Sequence, residues 1–349
     1  MAVSLKNIAD HLNVSTCIVS QVLNNHPRAL SLRPETREKI IAAARELGYS
    51  RNEMAAAMAK KNSNILAFVT GDMGSVEYTG RIQNGVLEAA GECNYLIMLH
   101  RLNDSSPAET IKKILGWRVS GVVFHVVSLE TISEITAVLN EQNIPWGTVN
   151  LSNPDGIGFT SNDFDGIEKL TGLLFKNGCR KTAYAAIENP PGEFRRAREN
   201  GYLSGMKKYY PGNEPVFIRL PEPEDNENIN MQNVISEIRR KQVDGVICES
   251  DHIAAALLRQ AVQSSLRVPE DLSITGFGNS VIAEYTNPPL TTVAQDFEGM
   301  GRQTVHKIIN VIEKHKKEEL FEQLLPTQII SRQSVKMSVN NPSHGGNVL

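Results

Sequence analysis

The first apolar residues of the chain recur one helical turn apart: Leu5, Ile8, Ala9 and Leu12. This spacing predicts a short amphipathic helix, with Ser4 placed to cap its N-terminus. A second helix is expected from the cap Ser15 to about residue 24. A third is expected from Pro34, which suits a first turn, to Gly48, which suits the position after a helix end. Its inward positions are predicted to be Ile40, Ile41, Ala44 and Leu47.

The second predicted helix has two chemically different sides when it is plotted at about 100° per residue. One side is apolar and carries Ile18, Val19, Val22 and Leu23. The other is small or polar and carries Thr16, Cys17, Ser20 and Gln21. Because two short helices joined by a tight turn pack at a steep angle, this polar side is free to enter a major groove of DNA. Residues 1–50 are therefore predicted to form a helix-turn-helix DNA-binding domain.

Residues 51–63 are rich in alanine. An isolated helix of fewer than about 12 residues is marginal in water, because nucleation is costly. We therefore expect a hinge that becomes helical only when it is supported.

From residue 64 onward, short apolar runs alternate with helix-length amphipathic segments. The expected strands are 65–70, 95–100, 121–127 and 146–151, followed by 181–187, 216–220, 245–248 and 272–276. This alternation predicts an α/β body of parallel sheets with helices on both faces. Two series of strands predict two lobes, with a ligand cleft where the carboxyl ends of their strands meet.

Charge is unevenly distributed along the 349 residues. Residues 1–62 carry nine Lys and Arg against five acids, whereas the whole chain has a net charge of −3. A basic head on an acidic body suggests an anionic partner for the head alone.

Composition and motifs narrow the classes of function further. Apolar residues make up 41% and charged residues 21%, as in soluble globular proteins. No signal-peptide pattern and no apolar run near the roughly 20 residues of a membrane span occur, so a cytoplasmic protein without membrane contact is expected. Four scattered cysteines and eight histidines form no spaced cluster, and no phosphate-binding glycine motif is present. We therefore expect no catalysis, cofactor or metal.

Several segments resemble the signature of the lactose repressor (LacI/GalR) family: residues 3–9, 14–15, 19–24, 35–40 and 47–49. The resemblance continues through nearly the whole chain. It implies a helix-turn-helix head and a two-lobed, periplasmic-binding-protein-like body of type I. Lobe 1 is expected at about residues 64–161 and 293–325, lobe 2 at about 162–292 and 326–340, and a disordered tail at 341–349. Crossings between lobes are expected near 162, 289–293 and 326.

The resemblance also implies which residues contact DNA. They are Ser4, Leu5, Ser15, Thr16, Cys17, Ser20, Gln21 and Asn24 in the head, and Met58 in the hinge. The family usually has arginine where Gln21 stands; arginine pairs with guanine, whereas glutamine prefers adenine. We therefore expect an A·T pair opposite Gln21. Met58 matches a wedge that enters the minor groove, although Arg51 replaces the family's usual proline.

For the body, the resemblance implies effector contacts at Asn150, Arg198, Asp251, Asn279 and Phe297. A guanidinium at Arg198 suits a hydroxylated or anionic ligand, unless it is a surface residue. Phe297 could equally belong to the core. The family usually has two aspartates where Gly278 and Asn279 stand, so a principal acceptor for sugar hydroxyls is missing. A sugar or sugar derivative, an anionic compound or no effector at all remain open.

The expected function is a transcriptional regulator, a repressor in the first instance, that binds a palindromic double-stranded operator as a homodimer. The effector changes the angle between the lobes and so the position of the two hinges. The tail has no heptad pattern, so no tetramer bundle is expected. The alternatives are a solute-binding protein, which needs a signal peptide, or a small-molecule enzyme on the same body.

Overall fold

A computed structural model describes residues 3–24, 26–50, 63–72, 77–102, 107–154, 156–188, 193–221, 231–314 and 321–337. The chain forms two compact units, Met1–Ser63 and Asn64–Leu349, called the head and the body below. Residues 51–62 of the predicted hinge, which include Met58, and the tail at 341–349 lie outside the described residues.

The head contains three α-helices: α1 Leu5–Leu12, α2 Thr16–Leu23 and α3 Pro34–Glu46. Ser4 caps α1, because its Oγ accepts a hydrogen bond from the Asn7 amide while Asn7 Oδ1 accepts one from the Ser4 amide. Asn13, in the left-handed region, ends α1, and Ser15 caps α2. The three helices expected from the apolar spacing are therefore present.

The core of the head differs from the expectation at one place in α3. Ile41 is 40% exposed, and Ala43 is buried in its stead. The reason is geometric, since Ile40, Ala43, Ala44 and Leu47 share one face at i, i+3, i+4 and i+7, and Ile41 lies about 100° away. The loop before α3 also contains a 3-10 helix over Pro27–Ser31, which buries Ala29 against the helices.

Lobe 1 of the body is a six-stranded parallel sheet in the order β2-β1-β3-β4-β5-β11. Its strands are β1 Ile65–Thr70, β2 Leu96–Arg101, β3 Gly121–His125, β4 Trp146–Val149, β5 Ile157–Ser161 and β11 Phe321–Leu325. One face is covered by α4 Glu77–Glu92 and α12 Phe297–Lys314. The other is covered by α5 Pro107–Gly116 and α6 Ser133–Glu141.

Lobe 2 is a four-stranded parallel sheet in the order β7-β6-β8-β9. Its strands are β6 Thr182–Ile187, β7 Val216–Leu220, β8 Gly245–Cys248 and β9 Ser273–Thr275. Helices α7 Asp163–Lys176 and α8 Glu193–Tyr209 cover one face. Helices α9 Gln232–Lys241 and α10 Asp251–Gln263 cover the other, followed by the short α11 Val281–Tyr285.

Strands β10 Thr292–Ala294 and β12 Gln328–Ile330 pair to form a two-stranded antiparallel ribbon. Val293 and Ile329 pack in the core of lobe 2, so this ribbon belongs to that lobe. The chain therefore returns to lobe 1 at residues 295–296, slightly later than the expected crossing at 289–293. Within the described residues, no helix is long and apolar enough to cross a membrane.

The eight expected strands are all present, and four short strands were missed. Expected strands 121–127 and 146–151 are shorter in the structure because Val126 and Asn150 have positive φ angles, of 48° and 55°, that end extended structure. Strand β11 escaped detection because its three central side chains, Glu322, Gln323 and Leu324, are exposed at the edge of the sheet and give no buried apolar run.

Helices α4 and α12 approach closely at two glycines. A Cβ atom on Gly85 would lie 2.0 Å from the Glu298 carbonyl oxygen, and one on Gly301 would lie 2.5 Å from that of Ile82. The two backbones are therefore in contact where a side chain has no room.

Replacing Gly85 with alanine should lower the free energy of unfolding by about 1–3 kcal/mol, because backbone atoms must move to admit the methyl group. Gly80→Ala, on the same helix with nothing within 4 Å of its Cβ position, is the matched control and should be neutral or stabilising. Chemical denaturation of both variants measures the difference. Equal stability of the two would contradict the close helix contact.

Candidate functional site

The polar side of α2 faces away from the core of the head. Thr16 and Cys17 are exposed, and Gln21 is partly exposed. Gln21 Nε2 lies 3.4 Å from Cys17 Sγ, and Asn24 Nδ2 donates to Ser20 Oγ at 3.0 Å. These contacts between residues four apart keep the side chains in two rows along one accessible surface of the helix.

The other predicted DNA contacts of the head serve local structure as well. Ser4 and Ser15 are exposed and cap α1 and α2 through their hydroxyl groups. Leu5 is half-buried and packs against the core of the head. Contact of all these residues with DNA stays a prediction, as does that of Met58, which lies outside the described residues.

The body contains a cavity of about 1030 Å³ between its lobes. Lobe 1 contributes Tyr78 and Asn150, and lobe 2 contributes Arg198, Glu249 and Phe277. Asn150 follows β4, Glu249 follows β8 and Phe277 lies just after β9, so the cavity lies at carboxyl ends of parallel strands. This is where open α/β sheets bind ligands.

Hydrogen bonds and ring contacts hold Arg198 in the cavity wall. It is only 9% exposed, and its guanidinium lies 4.0 Å from the centre of the Phe277 ring and 5.1 Å from that of Phe194. Its Nε donates to Asp163 Oδ2 at 2.7 Å, and its Nη1 donates to the Glu249 carbonyl oxygen at 2.7 Å. The side chain is therefore not a surface residue.

Asp163 joins Arg198 to the segments that cross between the lobes. Its Oδ1 accepts hydrogen bonds from Ser161 Oγ and, at 3.1 Å, from Gln295 Nε2. Ser161 ends β5 and Gln295 precedes α12, so two crossings meet at one carboxylate. Local sequence patterns did not indicate Asp163 or Gln295, because residues more than 130 positions apart give no local signal.

Aromatic side chains form the lobe 1 side of the cavity. The rings of Tyr78 and Phe297 stack with their centres 5.1 Å apart. Phe297 is 3% exposed and belongs to the core, yet it also lines the cavity, so both of its expected roles describe the same position. Burial, and then the charge of Asp72, raises the pKa of the Tyr78 phenol, which is therefore a neutral donor at pH 7.

Two predicted ligand contacts do not line the cavity. The Asp251 carboxylate accepts hydrogen bonds from the Ser280 amide at 2.7 Å, the Ser280 hydroxyl at 3.0 Å and Thr292 Oγ1 at 2.5 Å. Asn279 Oδ1 accepts one from Arg332 Nη2 at 2.8 Å. In this structure both residues fasten the loop after β9, because internal donors occupy their oxygen atoms. Burial raises the pKa of Asp251 in spite of these hydrogen bonds.

Gly278 lines the cavity in a conformation that favours glycine. Its φ is +119°, and a Cβ atom there would lie 3.6 Å from Asp251 Oδ2. An acidic side chain at this position would be strained and close to an existing carboxylate. The conformation of the loop and the nearby Asp251 carboxylate thus disfavour an acid at position 278.

One contact joins the two lobes across the edge of the cavity. The Glu77 carboxylate, in the first turn of α4, accepts hydrogen bonds from the Val281 amide at 3.2 and 3.0 Å. Val281 begins α11 in lobe 2. The described structure therefore has the lobes hydrogen-bonded to each other on this side.

Comparisons with known proteins agree with this architecture. A family model described as "Bacterial regulatory proteins, lacI family" matches residues 4–52, and one described as "Periplasmic binding protein-like domain" matches residues 171–335. The chain belongs to the lacI family. This lacI-family protein is accordingly a DNA-binding transcriptional regulator.

Relatives and solved structures match over nearly the whole length of this regulator. The transcriptional regulator RegA of Clostridium saccharobutylicum is 25% identical over 343 residues, which cover 96% of this chain and 99% of RegA. A lac repressor dimer bound to operator has a TM-score of 0.79 at 21% identity, covering 96% and 100% of the chains. A complex of the regulator CelR with cellobiose has a TM-score of 0.66 at 22% identity, covering 95% and 99%. These two structures support the fold.

Asp163→Asn in this lacI-family regulator should lower the free energy of unfolding by about 3–5 kcal/mol, because the buried Arg198 guanidinium loses its counter-ion. Glu168→Gln is the control, since its partner Lys208 is 56% exposed and water compensates the loss. Urea denaturation compares the two. A smaller effect at Asp163 than at Glu168 would contradict the importance of the buried pair.

Stability of the regulator should also depend on His125. Burial lowers the pKa of its fully buried ring to about 4. Because the folded state favours the neutral ring, this contribution is complete above about pH 6.5 and is lost as the pH falls toward 4, by up to about 1.4 kcal/mol per pH unit. His125→Phe should flatten that part of the curve of unfolding free energy against pH. An unchanged slope would argue against a neutral buried His125.

Proposed function

We propose that this regulator represses transcription by binding a palindromic operator as a homodimer, with its affinity set by a small molecule in the cavity of the body. The observation that carries the proposal is the polar side of α2, where Cys17 and Gln21 lie side by side on a capped helix. Such a helix reads base edges in the major groove through its side chains. The lac repressor similarity supports the operator and the dimer.

The effector is proposed to be a sugar or sugar derivative. Arg198, Asn150 and Phe297 line the cavity, and their donors and apolar ring suit a hydroxylated ring compound. The CelR complex with cellobiose supports this class of ligand. A cavity between two lobes also gives the ligand different contacts when the lobes are closed and open, which is what allosteric control requires.

Coupling to the operator is proposed to run through the crossing segments. The Asp163 carboxylate accepts hydrogen bonds from both Arg198 and Gln295. A ligand that binds Arg198 is therefore linked through Asp163 to two of the segments that cross between the lobes. A change in the angle between the lobes is expected to alter the spacing of the two hinges in the dimer, where Met58 is the proposed wedge. We further propose that the protein acts in the cytoplasm, without catalysis or a cofactor.

Selection of bound sequences from a random DNA library tests the DNA-reading surface. The wild-type protein should select A·T at one position of each half-site, because an amide pairs with the N6 and N7 atoms of adenine. Gln21→Arg should change the preference at that position to G·C. Gln21→Ala is the matched control and should relax discrimination there by about 1–3 kcal/mol.

The positions outside the contact of Gln21 serve as the internal reference, since both variants should leave their base preferences intact. An invariant guanine selected by the wild-type protein at the Gln21 position would contradict the assignment. A library from which no sequence is enriched would contradict the proposed function as a whole.

A further inference from the structure

Glu249 is a buried acid in the cavity wall whose carboxylate is only half satisfied. It follows β8 and is 4% exposed. Its Oε1 accepts a hydrogen bond from the Ile187 amide at 3.2 Å. Its Oε2 is buried and has no hydrogen-bond partner among the described residues. Arg195 Nε lies 3.9 Å away, too far for a hydrogen bond.

The neighbouring acids are used within the protein. Asp163 binds Arg198 and Gln295, Asp251 fastens the loop after β9, and Glu77 accepts hydrogen bonds from the other lobe. In the part of the chain that the structure describes, Glu249 has the one buried carboxylate oxygen without a hydrogen-bond partner. Leaving such an oxygen unpaired is costly, so its retention in a ligand cavity calls for an explanation.

The charges around Glu249 limit what can bind there. Asp163 neutralises Arg198, and Glu298 neutralises Arg81 with two hydrogen bonds of 2.8 and 2.9 Å. Arg195 remains as the cation that faces Glu249. Beside Glu249 itself, the carboxylate balances the charge of Arg195, so no excess of positive charge remains there to bind a phosphate or a carboxylate.

We propose that Glu249 is the ligand-recognising acid of the cavity, where Oε2 accepts a hydrogen bond from a hydroxyl or ammonium group of a polyhydroxylated ring compound. This inference rests on the proposed effector function and names its chemistry. The guanidinium of Arg195 offers donors to a hydroxyl or ring oxygen beside that group. The stacked rings of Tyr78 and Phe297 offer an apolar surface to the face of the ligand ring. Neutral sugars and amino sugars share this donor chemistry.

The first test is the stability of the full chain without ligand. Glu249→Gln keeps the shape and an oxygen for the Ile187 amide but removes the buried, half-satisfied charge. The melting temperature should therefore rise, by about 2–4 °C if the gain is near 1 kcal/mol. Glu298→Gln is the matched control, because its carboxylate is fully paired with Arg81, and its melting temperature should fall. A fall for Glu249→Gln would overturn the proposal by showing a structural role.

The second test measures thermal shifts of the full chain with ribose, cellobiose, glucosamine, gluconate and glucose 6-phosphate. The proposal is supported if a neutral or amino sugar shifts the melting temperature of the wild-type protein and Glu249→Gln weakens its apparent Kd at least tenfold. Comparison of glucosamine with the neutral sugars shows whether the donor is an ammonium or a hydroxyl group. A shift with any compound that Glu249→Gln leaves unchanged overturns it. If no compound shifts the wild-type protein, the sign of the first test decides.

A separate experiment, the selection of DNA sequences, shows whether the proposed function as a regulator fails. The random-library selection reports on operator binding alone and uses the wild-type chain without any of these compounds. If the wild-type chain enriches no DNA sequence but Glu249→Gln removes its thermal shift with sugar, the role of Glu249 is supported and the role as a regulator is contradicted. If the wild-type chain selects an operator but the wild-type and Glu249→Gln proteins respond identically to sugar, only the role of Glu249 is contradicted.

Discussion

The buried ion pair between Asp163 and Arg198 is the interaction on which the functional part of the body depends. Removing two charges from water costs several kcal/mol per ion, and the cost is recovered only when geometry and additional hydrogen bonds are favourable. Here Asp163 has three donors, and Arg198 is held between two aromatic rings and a backbone carbonyl. The pair fixes the position of the guanidinium before any ligand arrives, which lowers the entropic cost of binding.

The same pair gives the lobes a means of communication. Ser161 and Gln295 stand on separate segments between the lobes, yet both hold Asp163. A separate contact also joins the lobes, in which the Glu77 carboxylate of lobe 1 accepts hydrogen bonds from the Val281 amide of lobe 2. A rotation of one lobe must change at least one of these contacts. Ligands that favour one set of contacts therefore shift the balance between lobe arrangements, by no more than their difference in affinity for the two.

Periodicity predicted what depends on neighbours in sequence. Residues such as Ile8 and Val19 lie on one face of a helix, and the apolar runs of the eight strands each lie in one buried strand. The sequence therefore predicts these elements from local spacing alone. Strand β11 could not be predicted in this way, since its exposed central residues, two of them polar, interrupt any apolar pattern. Arg198 came from family resemblance. Its partner Asp163 and the orphan oxygen of Glu249 depend on contacts between distant segments, which leave no trace in local spacing.

Gly278 and Glu249 together explain how the cavity can lack the family's usual acid and still hold one. The loop at 278 turns with a positive φ directly over Asp251, so a carboxylate there would meet both backbone strain and like charge. The end of β8 has neither problem, because Glu249 follows the strand directly and its amide donates a hydrogen bond to the Ala185 carbonyl oxygen of β6 at 2.9 Å. A carboxylate held by a sheet moves less than one on a loop, so it discriminates more strictly between donor positions on a ring. On this reasoning, the effector of this regulator is distinguished by the place of its donor group rather than by its net charge.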